Sequence, residues 1–184
     1  MHGLRCLYVL LVFPIASASA RERASSHVVT PIPEMARLAE VLAGDWNNAE
    51  ILEASDRFPS GARRRGISHC ELNTGGTTLV CQGTSDGSAG KLDHLIVIWW
   101  DERSKNYGFF VCFKDWGSGC QIRGTAHWEG EIFVNDYREE IKGKTVKMRD
   151  SFIDVTPNSH ALVAAIETAD GKMKTLITTR STRR

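Results

Sequence analysis

The sequence predicts an all-β protein: an antiparallel meander closed into a barrel of about eight to ten strands, with one short helix capping an end. Three observations carry this. An amphipathic helical stretch, residues 33–43, runs into Leu42-Ala43-Gly44-Asp45-Trp46. After it, nine turn signals separate ten short segments of apolar or alternating character to the C-terminus. No second helical pattern falls between them, so neighbouring strands are expected to connect as hairpins rather than crossovers. A β-sandwich and an open, strongly curved sheet are the alternatives that the pattern leaves.

Taken in order, the 184 residues begin with a segment of a different kind. Arg5 precedes an apolar run from Leu7 to Ile15, too short to span a bilayer, and Ala18-Ser19-Ala20 forms a small-x-small cleavage site. Residues 1–20 are therefore expected to be a signal peptide cleaved near Ala20, and the protein exported, periplasmic or extracellular, with no membrane span in the mature chain. Residues 21–32 are expected to be a disordered leader, and residues 33–184 a single domain. Lys plus Arg is 23 and Asp plus Glu 22, and removing Arg5 leaves the mature chain balanced. Nothing in this charge pattern suggests a nucleic-acid partner.

Pro33 suits the first turn of a helix. Met35, Leu38, Ala39 and Leu42 share one face, and Gly44 follows the last turn. Trp46, the first large apolar residue after that glycine, is a natural plug for one end of a closed sheet. Turn signals then fall at Pro59-Ser60-Gly61, Gly75-Gly76, Asp86-Gly87, Asp101 to Asn106, Trp116-Gly117, Glu129-Gly130, Lys142-Gly143, Pro157-Asn158 and Asp170-Gly171.

Several hairpins can be registered. A two-residue Gly75-Gly76 loop sets Cys70 opposite Cys81, and a three-residue loop Asp115-Trp116-Gly117 sets Cys112 opposite Cys120. Directly opposed residues lie within disulfide range. With export, the spacing predicts disulfides Cys70–Cys81 and Cys112–Cys120. The second register also pairs Gly108 with Gly124, leaving space beside both. A two-residue Asp170-Gly171 loop pairs Glu167 with Lys174, Ala165 with Leu176 and Ala164 with Ile177, and turns odd positions of the last strand inward. In the strand after Cys120 the even residues are apolar and face the interior. Leu95 to Trp100 and Tyr107 to Phe113 are apolar on both faces, so one face fills the core. The other is covered, lines a cavity or forms a homodimer surface around Trp99, Trp100, Tyr107, Phe109 and Phe113.

The helix, then Gly44-x-Trp46 opening the first strand, then the meander and a basic residue closing the last strand, resembles the calycin group of lipocalins and fatty-acid-binding-like barrels. More closely, Leu42-x-Gly44-x-Trp46, Gly143-Lys144 before Arg149, and Thr182-Arg183 resemble uncharacterised bacterial secreted lipocalin-like domains. The resemblance implies a structural pair at the barrel floor, Arg183 stacked on Trp46, with Arg180 as the rival.

The chemistry of sites is sparse. No cofactor, metal site or catalytic residue is expected. No Cys-x-x-Cys or zinc-finger spacing exists, and Gly-x-Ser-x-Gly is absent. His27, His69, His94, His127 and His160 read as solvated or hydrogen-bonded side chains. A haem ligand among His69, His94 and His160 is conceivable, but nothing selects one. Asp150 and Asp154 share a face with Glu131 and Asn135, read as a solvated rim. Arg149 faces Asp136, either inward or as a surface pair. The expected function is to bind a small apolar or amphipathic molecule inside the barrel. Phe110, Ile122, Ala126 and Trp128 are the expected lining, with Ile98 or Trp99 joining them. A filled, homodimerising barrel is the alternative, and an enzyme of unknown reaction, with Arg149–Asp136 as the polar pair it would use, ranks behind both.

Overall fold

A computed structural model describes residues 30–55, 58–114, 119–141 and 143–184. The expected signal peptide and most of the expected leader lie outside these residues. The helix α1 (Pro33–Leu42) is followed by β1 (Gly44–Leu52), β2 (Ala62–Asn73), β3 (Thr78–Gly87), β4 (Leu92–Asp101) and β5 (Asn106–Phe113). Then come β6 (Ile122–Glu129), β7 (Ile132–Ile141), β8 (Lys144–Thr156), β9 (Ser159–Glu167) and β10 (Met173–Arg183). Every strand pairs antiparallel with its sequence neighbours, and β1 also pairs with β10, so the ten strands close into one barrel. Among the described residues, closure leaves no edge strand open to pairing with another chain.

The helix forms where the sequence places it. Pro33 occupies the first turn, and Met35, Leu38 and Leu42 are buried against the barrel. Ile32, expected in the leader, packs on the same core. Two long-range ties fix the helix over one end: Tyr107 Oη donates to Glu34 O (2.9 Å), and Arg37 Nη2 donates to Gly130 O (2.8 Å). The Arg37 guanidinium also lies 3.9 Å from the Trp128 ring.

The floor beneath is built around Trp46, which is 1% exposed. Its Nε1 donates to Leu42 O, and the Arg183 guanidinium stacks 4.4 Å from its ring. Arg183 also donates from Nη1 to Ala43 O and from Nε to Pro157 O, tying β10 to both neighbouring connections. Arg180 points outward and is exposed. Gly44 has φ +128°, and a Cβ there would come within 2.1 Å of Arg183 Nη1, so the stack needs glycine at this position.

Some registers match the expectation and others shift by one residue. Cys70 opposes Cys81, and the two are bridged. Asp136 opposes Arg149 and Val134 opposes Ser151, as a two-residue Lys142-Gly143 loop requires. The Asp86-Gly87 signal falls inside the end of β3, and the turn follows it. In the β5–β6 hairpin the Cys112–Cys120 bridge is present, and Phe113 N donates to Gly119 O. However, Val111 then pairs with Ile122, so Gln121 is one residue more than a regular ladder holds. The expected Gly108–Gly124 pairing is therefore wrong: Gly108 opposes Thr125, and Phe109 opposes Gly124. Neither glycine leaves a gap. The Trp99 ring covers Gly108, while Phe109 and Tyr137 crowd Gly124.

The β9–β10 hairpin shows the reverse sequence of events. Glu167 pairs with Met173 and Ala165 with Thr175, not with Lys174 and Leu176, because residues 168–172 make a longer turn. A bulge between Thr175 and Ile177 then restores the expected Ala164–Ile177 pair. Odd positions of β10 face inward beyond that bulge, as shown by Ile177, Thr179 and Ser181.

Candidate functional site

Period-two alternation decides which side chains the barrel turns inward. Even positions of β1, β2, β4, β6 and β8 face the interior, as do odd positions of β3, β5 and β7. The interior is not filled. It holds a cavity of about 580 Å³, running from Leu42 and Trp46 at the helix-capped floor to Lys144 and Lys174 at the opposite mouth. The connection after β1 places Ser55 and Phe58 at that mouth. Ile96, Ile98, Val111, Ile122, Met148 and Leu162 are among the apolar wall residues.

Polar groups interrupt this wall in three places. Near the floor, Asn48 Nδ2 donates to Ser68 Oγ (3.0 Å), and Ser181 Oγ donates to Asn48 Oδ1 (2.9 Å). His160 lies against Trp46 with ring centroids 4.5 Å apart, and its buried Nδ1 has no hydrogen-bond partner. Burial, with the Arg183 charge adding to it, pushes its pKa down to about 4, so the ring is neutral at pH 7.

Between mouth and middle, Arg64 Nε donates to Glu50 Oε2 at 2.9 Å, and both side chains are buried. Glu50 and Arg64 are directly opposed on β1 and β2, which makes them a cross-strand ion pair. His94 lies close by on β4, and burial lowers its pKa.

On the far wall, Tyr137 Oη donates to Asp150 Oδ1 at 3.2 Å. Asp150 is enclosed by protein, and its residual surface opens onto the cavity. Burial pushes its pKa up to about 7; the Tyr137 bond opposes this, and the Glu139 and Asp136 charges add to it. Asn135, directly opposite Asp150 on β7, has a buried Oδ1 without a hydrogen-bond partner. That acceptor suits the O–H of a protonated carboxyl.

The expected site residues fall in different places. Ile122 and Ile98 line the cavity. Ala126 is fully buried in the core beneath the helix, and Trp128 packs on Phe133 under Arg37. Phe110 faces outward, against the Arg123 guanidinium at 5.0 Å. The one-residue shift at Gln121 is the cause: Phe110 opposes Arg123 instead of the inward Ile122. Trp99 is on the outer face over Gly108.

Cys70 and Cys81 line the cavity. Arg149 pairs with Asp136 at the surface, not inside. Asp154 is exposed as expected, but Asp150 is an interior carboxyl rather than part of a solvated rim. His69 is exposed beside Asp45, and His127 beside Glu129. Among the described residues, no group of three or more His, Cys, Asp or Glu side chains is placed to hold a metal ion.

No protein-family model and no curated protein sequence matches the chain. Solved structures do. The S-type phycobiliprotein lyase CPES from Guillardia theta superposes with a TM-score of 0.54 at 11% identity, covering 82% of this chain and 90% of that one. Rv2717c from M. tuberculosis superposes with a TM-score of 0.57 at 12% identity, covering 84% of this chain and 99% of that one. At such identities the likeness is one of fold alone.

Proposed function

We propose that this is an exported barrel that binds one small, mainly apolar or amphipathic molecule inside its cavity. The observation that carries the reading is the cavity itself. Its volume of about 580 Å³ falls in the range of small-molecule sites, and its apolar wall carries a few convergent polar groups. Packed protein interiors hold few voids larger than a water molecule. Export is supported by the N-terminal segment and by two cross-linked cysteine pairs. The test is native mass spectrometry of the protein purified from an exporting host, followed by a thermal-shift screen against neutral lipids and small aromatics. A co-purifying apolar molecule, or saturable stabilisation by one, is the expected result. A protein that is empty and unmoved by every compound refutes the reading.

One observation favours a second, catalytic reading. Asp150, whose pKa is pushed up to about 7 and which is bonded to Tyr137, has the proton affinity of a general acid. Turnover abolished in Asp150→Asn with binding retained would support it; unchanged turnover would remove it. Of the expected dimer surface, Trp100, Tyr107, Phe109 and Phe113 face the core or the cavity, so homodimerisation rests instead on the outward Val80, Val97 and Phe110, which oppose one another across β3, β4 and β5. Light scattering at high concentration tests it, and a clean monomer ends it.

A further inference from the structure

The charges inside the barrel restrict the polar group that a ligand can bring with it, if the binding reading above holds. Among the described residues lining the cavity, Arg64 is the only cation below the mouth; Lys144 and Lys174 are exposed at the rim. The Arg64 charge is already matched by Glu50, through the Nε–Oε2 bond at 2.9 Å. A guanidinium carries five N–H donors, and Arg64 Nη2 is buried with no partner. The pair therefore offers a hydrogen-bond donor without net positive charge behind it.

His94 lines the same cavity. Its ring lies across Gly83, where a Cβ would come within 2.5 Å of Cε1, so the glycine makes room for it. Across the cavity, Glu139 and Asp150 add two carboxyl groups. A carboxylate drawn below the mouth would meet a cation already paired with Glu50, with the Glu139 and Asp150 carboxyl groups on the opposite wall. Burying such an uncompensated ion is strongly unfavourable, whereas burying a carbonyl that receives a hydrogen bond is not. The rim lysines stand in water, where their attraction is screened.

We infer that the barrel selects ligands whose polar end is an uncharged hydrogen-bond acceptor, such as an amide or ketone carbonyl docked on Arg64, and excludes carboxylates of the same length.

The test is competition at pH 7.5 against Nile red, an uncharged fluorophore, using decanamide, 2-undecanone and decanoate. Decanamide and the ketone are expected to displace the probe at least ~10-fold more effectively than decanoate, given the penalty on a buried unpaired ion. Glu50→Gln keeps an acceptor for Arg64 Nε but removes the matching charge, and should improve decanoate relative to decanamide by ~10-fold or more. If Glu50→Gln does not fold, Glu50→Gln with Arg64→Gln forms a neutral pair, and decanamide should lose affinity there.

Decanoate binding as well as decanamide to the unaltered protein overturns the inference and leaves barrel binding intact. So does unchanged decanamide affinity in the double variant. Binding of Nile red but of none of the three chains also overturns it. Failure of all four compounds to bind removes the binding reading itself.

Discussion

Replacing Asp150 with Asn should stabilise the protein at pH 8 and leave it nearly unchanged at pH 4. In the fold the Asp150 pKa is pushed from 3.8 to about 7, chiefly by burial. A carboxyl whose folded pKa is raised supports the fold fully below its unfolded pKa. That support is lost as pH rises from near 4 through about 7. Each pH unit across this window costs about 1.4 kcal/mol, so the full loss is roughly 4 kcal/mol by pH 8.

Asparagine has the shape of the neutral acid, keeps an acceptor for Tyr137 Oη and cannot ionise. Urea unfolding of both proteins at pH 4, 6 and 8 measures the difference. The expected result is a gain for Asp150→Asn that grows with pH to several kcal/mol, with m-values unchanged. A difference independent of pH, or a variant less stable at pH 8, would show that the fold does not raise the Asp150 pKa above its unfolded value and refute the reasoning.

His160 should behave in the opposite sense. Its pKa is lowered to about 4, so the stability it contributes is present above pH 6.5 and lost as pH falls towards 4. By NMR its ring proton resonances should hold still from pH 8 to 5, while those of His69, raised chiefly by its bond to Asp45, titrate above the usual range. Titration of His160 near 6.5 would contradict its burial against Trp46. Arg183→Lys keeps the charge but loses the fork that reaches Ala43 O and Pro157 O. A cost of about 2–3 kcal/mol in chemical denaturation is expected, against a change within error for Arg180→Lys, whose side chain is exposed.

The architecture was legible because barrel closure needs only period-two alternation and turn chemistry, and both are local. The Gly75-Gly76 and Lys142-Gly143 signals gave correct registers because short connections leave the ladder little freedom, although Thr74–Gly76 forms a 3-10 turn in place of the expected two-residue loop. The cavity lining was less legible because parity is unforgiving: one extra residue at Gln121 turned Phe110 outward. A bulge that compensates a longer turn, as at Leu176, leaves no mark in the pattern of residue types. The polar interior was missed for a related reason. Glu50, Arg64, His94 and Asp150 sit at inward positions of alternating strands, where sequence patterning reads a charge as solvent-facing. Alternation counted strictly from Trp46 along β1 puts Glu50 inside, and the Lys142-Gly143 register puts Asp150 beside Asn135. Those counts were the available signal.

The most direct test of the account is a titration of the protein with Nile red, alongside Ala164→Trp. Ala164 lines the cavity between Asp150 and Ile177, so an indole there occupies the space without touching the Trp46–Arg183 floor. The unaltered protein is predicted to bind one equivalent saturably. Ala164→Trp is predicted to fold with an equal or higher melting temperature and to bind none. No binding by the unaltered protein, or equal binding by a folded Ala164→Trp, would contradict a ligand site inside the barrel.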